Sequence, residues 1–407
     1  MRMLVVSHIP AFAGQSPGVI RWDEAWLADL NAQARAMNHL GYELVIMAPL
    51  QPSLSTKYLS KRSVAEVKLS DAPFVFVPLP AYQTATQFLT VRSLIREQFT
   101  ARIGEVDVVQ IGPGGHPVSL GQTIWPILRK TRVRKVVQFH SDPIPAWEKY
   151  AASGRNPAKR LAKQLAVRKL EAFCRQAVLR SDLVIAHHPS VRSRFESVWS
   201  DHCHTIFTTG LSESIIGVQR RPDPMRPMIV FAEGSPYPTR GLDHLIRAVA
   251  KARRLTARIE LYLTGDLQNA PDLIELIRQE KIESHVRLLG PIPKHLYPTF
   301  LDQADLLVAT PLISFFDPTF NLAQARGLPM VTYRTGLPEE QRLGHGNGLV
   351  VPKGDVAMLA RVLIDLSRDR EKLAHMSEKA IEQSRAWSLE QAHHTKARLI
   401  HQFFCGS

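Results

Sequence analysis

The sequence predicts an α/β protein made of two doubly wound domains in tandem. Three observations carry that expectation. Short runs rich in Val, Ile and Leu alternate with amphipathic segments of helical period, the pattern of a parallel sheet covered by helices on both faces. The alternation occurs twice, interrupted by the Arg- and Pro-rich stretch Gly217–Arg226. The chain has 407 residues, 45% hydrophobic and 22% charged, enough for two cores of ordinary size.

Each element has its own justification. Leu4–Ser7 is the expected first strand, and Val19–Leu40 reads as a long helix with Ile20, Ala25, Leu27, Leu30 and Met37 apolar, stopped by Gly41. Glu43–Ala48, Phe74–Val77, Val106–Ile111, Lys135–His140 and Asp182–Ala186 read as further strands, apolar and bounded by turn-forming or polar residues. The second series opens with strand Met228–Ala232, helix Gly241–Ala252 and strand Arg258–Thr264. Helix Ala270–Glu280, strand Val286–Gly290, helix Leu296–Ala304 and strand Leu306–Thr310 follow, and Met330–Tyr333 and Gly348–Val351 close the strands. Asp355–Arg368 and Arg370–Arg385 show clear 3.6-residue periodicity. The expected division is therefore residues 1–216, 217–385 and a C-terminal segment 386–407.

Bulk properties narrow the setting. No run of about 18 apolar residues occurs, and the N-terminal apolar segment is too short for a signal peptide, so it reads as a strand. Cys174, Cys203 and Cys405 lack metal-site or disulfide spacing, which favours a reducing compartment, and the expected location is cytoplasmic. The net charge of +14 is uneven: residues 1–212 hold 26 Lys+Arg against 15 Asp+Glu, the remainder 25 against 22. The first half is thus expected to meet something anionic, with nucleic acid, anionic lipid and a phosphate-bearing acceptor all compatible. No zinc finger, RNP-type aromatic motif or helix-turn-helix signature supports nucleic acid. The stretch Asn156–Leu170 predicts a basic amphipathic helix, with Leu161, Leu165 and Leu170 inward and Lys159, Arg160, Lys163 and Lys169 outward. It reads either as a peripheral contact with an anionic membrane or as a solvated face over a core stripe.

The most specific stretch runs from Pro311 through Ile313-Ser314-Phe315-Phe316-Asp317-Pro318 to Asn321-Leu322-Ala323-Gln324-Ala325-Arg326-Gly327-Leu328-Pro329-Met330-Val331. It resembles the donor-sugar motif of retaining GT-B glycosyltransferases of the family 4 type, which reads Pro-Ser-x-x-Glu-x-Phe-Gly and then Glu-Ala-Met-Ala-x-Gly-x-Pro-Val. Phe316, Ala323, Ala325, Gly327 and Pro329 fall in register, whereas Ser314 and Leu322 stand where the family has its two glutamates. Gly234-Ser235-Pro236-Tyr237-Pro238-Thr239-Arg240-Gly241 is similar to the family's Gly-Arg-x-x-x-x-Lys-Gly, with Ser235 for the arginine and Arg240 for the lysine. Strands ending at Gly265 and Gly290, the Thr335–Glu339 turn, Gly348–Pro352 and Ala386-Trp387-Ser388 also resemble the family pattern.

The resemblance implies a GT-B fold: two Rossmann-like domains facing a cleft, the first for the acceptor and the second for the nucleotide sugar, with a C-terminal crossover helix. It implies retaining transfer of a hexose from a nucleotide-diphosphate sugar to a glycan or lipid-linked acceptor in polysaccharide synthesis. No metal and no cofactor beyond the donor are expected. Departure of the diphosphate puts negative charge in the site, which cations and helix N-terminal N–H groups stabilise. Arg240 is the leading candidate, since a guanidinium can hold phosphate through two hydrogen bonds. His140, ending the strand Gln138-Phe139-His140, and Asp317 complete the candidate catalytic set. Gly18, Gly234, Ser235, Gly265, Gly290, Ser314, Asn321 and Leu322 join Arg240 and Asp317 as donor-binding candidates. Asp317 and Asn321 read either as replacement oxygen acceptors or as turn and helix-cap residues. His140 reads either as a sugar contact or as a packed strand end. A homologue that binds a glycan or a partner protein without catalysis is the competing expectation, because both glutamates are absent.

Overall fold

The computed structural model describes all residues except 54–62, 114–118, 153–156, 235–237, 268–269, 314–317, 336–342 and 406–407. Contacts divide the chain into two compact units. The first comprises Met1–Gly210 with Leu389–Ser407, and the second Leu211–Ser388. The Gly217–Arg226 stretch is fastened to the second unit. Gly217 donates to the Ala325 carbonyl at 2.8 Å, and Arg220 reaches the carbonyls of Leu301, Ala304 and Arg326.

In the first unit a central parallel sheet runs in the spatial order Cys203–Thr205, Leu183–Ala186, Arg134–Phe139, Val108–Ile111, Arg2–Val6 and Glu43–Gln51, with Val75–Leu79 also paired to Glu43–Gln51. Strands Val108–Ile111 and Leu183–Ala186 are buried at every position, as a sheet covered on both faces requires. Arg2–Val6 lies between Glu43–Gln51 on one side and Val108–Ile111 on the other, so the direction of winding reverses at the Arg2–Val6/Val108–Ile111 edge. That edge is where open α/β sheets leave a ligand crevice.

Two departures from the sequence reading have clear causes. The expected helix over Val19–Leu40 begins only at Glu24; Val19–Asp23 is a strand, paired antiparallel with Ala11–Ala13 and Val64–Lys68. Its β-branched start and the fully buried Trp22 favour the pleated surface, and Asp23 Oδ1 caps the helix by accepting from Trp26 N at 3.0 Å. The basic helix spans Pro157–Arg180, and its inward face is Val167, Leu170, Cys174, Ala177 and Val178. Leu161 and Leu165, expected inward, are 58% and 47% exposed. The core stripe therefore begins one to two turns later than the leucine spacing suggested. The helix Leu389–Cys405 returns to the first unit, where Ala392, Ala397 and Ile400 enter its core.

The second unit holds six strands, in order Val286–Gly290, Ile259–Thr264, Met228–Glu233, Leu306–Ala309, Met330–Tyr333 and Gly348–Val351, every neighbouring pair parallel. Here winding reverses between Met228–Glu233 and Leu306–Ala309. Helix Leu242–Arg254 buries Leu245, Ile246 and Val249 against this sheet and packs beside Val356–Arg368.

Candidate functional site

In the first unit, a pocket of about 240 Å³ opens at the winding reversal. Ser7 and His8 follow the first strand, Gln110 and Gly112 come from the end of Val108–Ile111, and Gln138, His140 and Asp142 from the end of Arg134–Phe139. Trp26 and Trp147 supply aromatic walls. Several of the polar groups are held in place. Trp26 Nε1–H donates to Ser7 Oγ at 3.0 Å, and Asp142 Oδ2 accepts from Arg194 Nε at 2.5 Å. The Trp26 ring meets His140 edge-on at 5.2 Å. Aromatic faces with a few oriented amide and carboxylate groups form the usual chemistry of a polar organic ligand site.

Beneath the pocket lies a buried polar network. Lys396, 1% exposed, donates from Nζ to Gln138 Oε1, and Gln138 Nε2 faces His140 Nε2 at 3.2 Å and His187 Nε2 at 2.9 Å. His187 Nδ1 meets the Ile206 carbonyl at 2.8 Å. Beside them, His393 Nε2 donates to Asp29 Oδ1 at 2.9 Å. Burial pushes the Lys396 ammonium down to about 7, with Asp29 opposing. Burial alone would raise the Asp29 carboxyl, yet His393, His140 and Lys396 together hold it well below its ordinary range. His140 lines the pocket with much of its surface exposed, and partial desolvation of its ring lowers its pKa below the ordinary histidine value, with Asp29 opposing.

The second unit offers a different kind of site. Gly234, Gly265 and Gly290 follow or end three neighbouring parallel strands. Gly234 N donates to Thr264 O at 2.5 Å, and both Gly265 N and Thr264 Oγ1 reach Gly290 O at 2.8 Å. A Cβ on Gly265 would sit 1.6 Å from Gly234 O, and its φ of +105° excludes ordinary side chains. Arg240 closes a short turn before helix Leu242–Arg254, with Gly241 as N-cap at φ +63°. Thr310 Oγ1 donates to the carbonyls of Arg240 and Gly241 at 3.1 and 2.8 Å, fixing that turn against the end of Leu306–Ala309. A small cavity of about 20 Å³ at the winding reversal is lined by Glu233, Arg240, Thr310, Pro311, Thr319 and Phe320. Glu233 Oε2 accepts from Thr319 Oγ1 at 2.9 Å.

The structure thus groups Gly234, Arg240, Gly265 and Gly290 at one end of one sheet, with Asn321 and Leu322 on the adjacent helix Pro318–Ala325. Asn321 is buried, and Leu322 packs against the cluster of Phe231, Tyr262, Phe320 and Leu328. His140 and Gly18 belong to the other unit. Gly18 lies in the exposed turn between strands Ala11–Ala13 and Val19–Asp23, away from the pocket lining. Ser235, Ser314 and Asp317 lie outside the described residues.

Sequence reasoning missed Glu233, Gln138, Asp29, His393 and Lys396. The last two did carry a signal: His393 and Lys396 share a helical stripe with Leu389, Ala392, Ala397 and Ile400, so polar groups occupy core positions of an amphipathic helix.

Residues 219–383 match the family described as glycosyl transferases group 1. An exopolysaccharide phosphotransferase of Streptomyces coelicolor is 30% identical over 148 residues, 36% of this chain but only 16% of that protein's length. Among solved structures, HepE of Anabaena in complex with UDP has a TM-score of 0.60 at 15% identity, covering 99% of this chain and 100% of HepE. A glycosyltransferase from Rickettsia africae gives 0.58 at 14% identity, covering 100% and 99%. Sucrose-phosphate synthase from Thermosynechococcus elongatus gives 0.55 at 15%, covering both chains fully. At such identities the structural likeness establishes the fold. HepE has also been solved with UDP-glucose.

Proposed function

We propose that this chain, a GT-B-fold protein whose residues 219–383 form a glycosyl transferases group 1 domain, transfers a hexose from a nucleotide-diphosphate sugar to a glycan or lipid-linked acceptor with retention at the anomeric carbon. The observation that carries this reading is the row Gly234, Gly265 and Gly290 beside Arg240 at the carboxyl ends of the second sheet. Glycine backbone allows a diphosphate to approach closely, and Arg240 at a helix start supplies the cation. In the reaction the bond from anomeric carbon to phosphate oxygen breaks, the acceptor oxygen bonds on the same face, and its proton passes to the departing phosphate. Arg240 stabilises the charge that develops there. The UDP and UDP-glucose complexes of HepE favour a uridine nucleotide.

The first unit's pocket, with Trp26, Trp147, Gln110 and His140, suits a saccharide, whose apolar faces stack on rings and whose hydroxyls meet amides and imidazole. The exposed Leu161 and Leu165 among Arg160 and Arg168 suit peripheral contact with an anionic membrane. No described helix is long and apolar enough to cross one.

A second reading, a glycan- or partner-binding homologue without catalysis, draws on Leu322, whose side chain joins an apolar cluster where the resemblance calls for a carboxylate. Calorimetry with UDP, UDP-glucose and other nucleotide sugars separates the two. The transferase reading expects selective binding that weakens at least about tenfold, or 1.4 kcal/mol, in Arg240→Ala. Absence of binding across the panel would favour the second reading.

A further inference from the structure

The Lys396–Gln138 contact has a chemical consequence, because its two ends have one-way partners. A lysine ammonium only donates, so the Gln138 oxygen must face Lys396 and the amide nitrogen must face the histidines. At the far end the Ile206 carbonyl only accepts, so His187 carries its proton on Nδ1 and takes the Gln138 hydrogen at Nε2. The second Gln138 hydrogen points at His140 Nε2, 3.2 Å away. His140 is therefore left with its proton on Nδ1, as an N–H donor.

We propose that Lys396 is a positioning residue for His140: by fixing the Gln138 amide, it holds His140 in the Nδ1–H form and makes the imidazole a hydrogen-bond donor to a ligand oxygen in the first unit's pocket. Lys396 reaches this place only because helix Leu389–Cys405, which follows the second unit in sequence, packs into the first. The charged and titratable groups around Lys396 come from four places. They are Asp29 on helix Glu24–His39, His140 after its strand, His187 after strand Leu183–Ala186, and His393 one turn earlier on its own helix. Among these, Asp29 is the anion that keeps an ammonium tolerable there. With a donor restricted to Nδ1, the pocket selects ligands that place a hydroxyl or carbonyl oxygen at His140 over those that place an N–H there.

The idea rests on the reading of the pocket as a ligand site, but its test needs no ligand and no activity. The full chain is labelled with ¹⁵N-histidine, and the His140 ring signals are assigned by their loss in His140→Asn. The wild type should show His140 as one tautomer, protonated at Nδ1, at about pH 6, where Lys396 is an ammonium and the imidazoles of His140 and His187 are neutral. Lys396→Met should bring in a second His140 form protonated at Nε2, while Lys396→Arg, which still only donates, should keep the single form. A single Nδ1–H form in folded Lys396→Met would overturn the proposal. Should Lys396→Met fail to fold, Gln138→Glu replaces the amide donor by an acceptor with Lys396 in place. His140 should then be protonated at Nε2, and an unchanged Nδ1–H form would equally overturn it.

Discussion

The two units place a site at the same topological position, the winding reversal of a parallel sheet, and build it from opposite materials. In the second unit the floor is backbone: three glycines on adjacent strand ends, a left-handed Gly241, and one Thr310 hydroxyl holding a turn. In the first unit it is side chain: Lys396, Gln138, His140, His187, Asp29 and His393, drawn from segments more than 360 residues apart. A backbone site tolerates exchange of neighbouring side chains but no added carbon. A side-chain network tolerates backbone drift but no lost partner.

That contrast can be broken most directly at Gly265. Its Cβ would meet the Gly234 carbonyl at 1.6 Å in a left-handed conformation, so Gly265→Ala should destabilise by about 3 kcal/mol or more. Gly18→Ala is the control: φ is +76°, yet nothing lies within 4 Å of the new carbon, and about 1 kcal/mol is expected. Denaturant midpoints read both. Equal losses would show that crowding at the strand ends matters less than backbone handedness.

In the first unit the corresponding weak point is Asp29. Asp29→Asn leaves Lys396 buried without its anion and weakens the His393 contact, and a loss of roughly 3 kcal/mol is expected in equilibrium unfolding at pH 7. A loss below about 1 kcal/mol would mean that the network relaxes as freely as a surface.

Lys396 sharpens the comparison through pH. Its folded pKa of about 7 lies below the ordinary lysine value near 10.4. Between those values the unfolded chain binds more protons, so this group makes stability rise with pH from about 7 toward 10, and its burial penalty is complete below 7. The rise should be up to about 1.4 kcal/mol per pH unit and should vanish in Lys396→Met, with other titrating groups common to both proteins. Parallel pH profiles for the two would remove Lys396 as the cause.

The same contrast explains what could be read in advance. Strands such as Leu183–Ala186 and the row of strand-end glycines were legible because each depends on a short segment and on backbone geometry that few residues allow. Arg240 was singled out by its resemblance to the lysine of the family's Gly-Arg-x-x-x-x-Lys-Gly segment, and it closes the turn before Gly241 and helix Leu242–Arg254. Strand Val19–Asp23 was not, since its pairing with Val64–Lys68 is a tertiary choice that overrode a helical pattern. Leu161 and Leu165 misled because helical spacing shows that a stripe exists but not where along the helix the core begins. Lys396 and Gln138 stand 258 residues apart, and only the folded helix Leu389–Cys405 joins them.

The smallest expected effect bears on the one side-chain carboxylate among the described residues that line the second unit's cavity. Glu233 ends the strand before Gly234, and Thr319 Oγ1, on the first turn of helix Pro318–Ala325, donates to it at 2.9 Å. Thr319→Val keeps the shape and removes only the hydroxyl, so about 1 kcal/mol of stability should be lost. If this unit's site is backbone alone, nucleotide affinity should stay within about twofold of wild type. If Glu233 must be held to meet the donor, affinity should fall by about tenfold, the equivalent of one charge-assisted hydrogen bond. Calorimetry of the variant with UDP decides between them, and the second outcome would give this site a carboxylate that the helix carrying Asn321 and Leu322 does not itself provide.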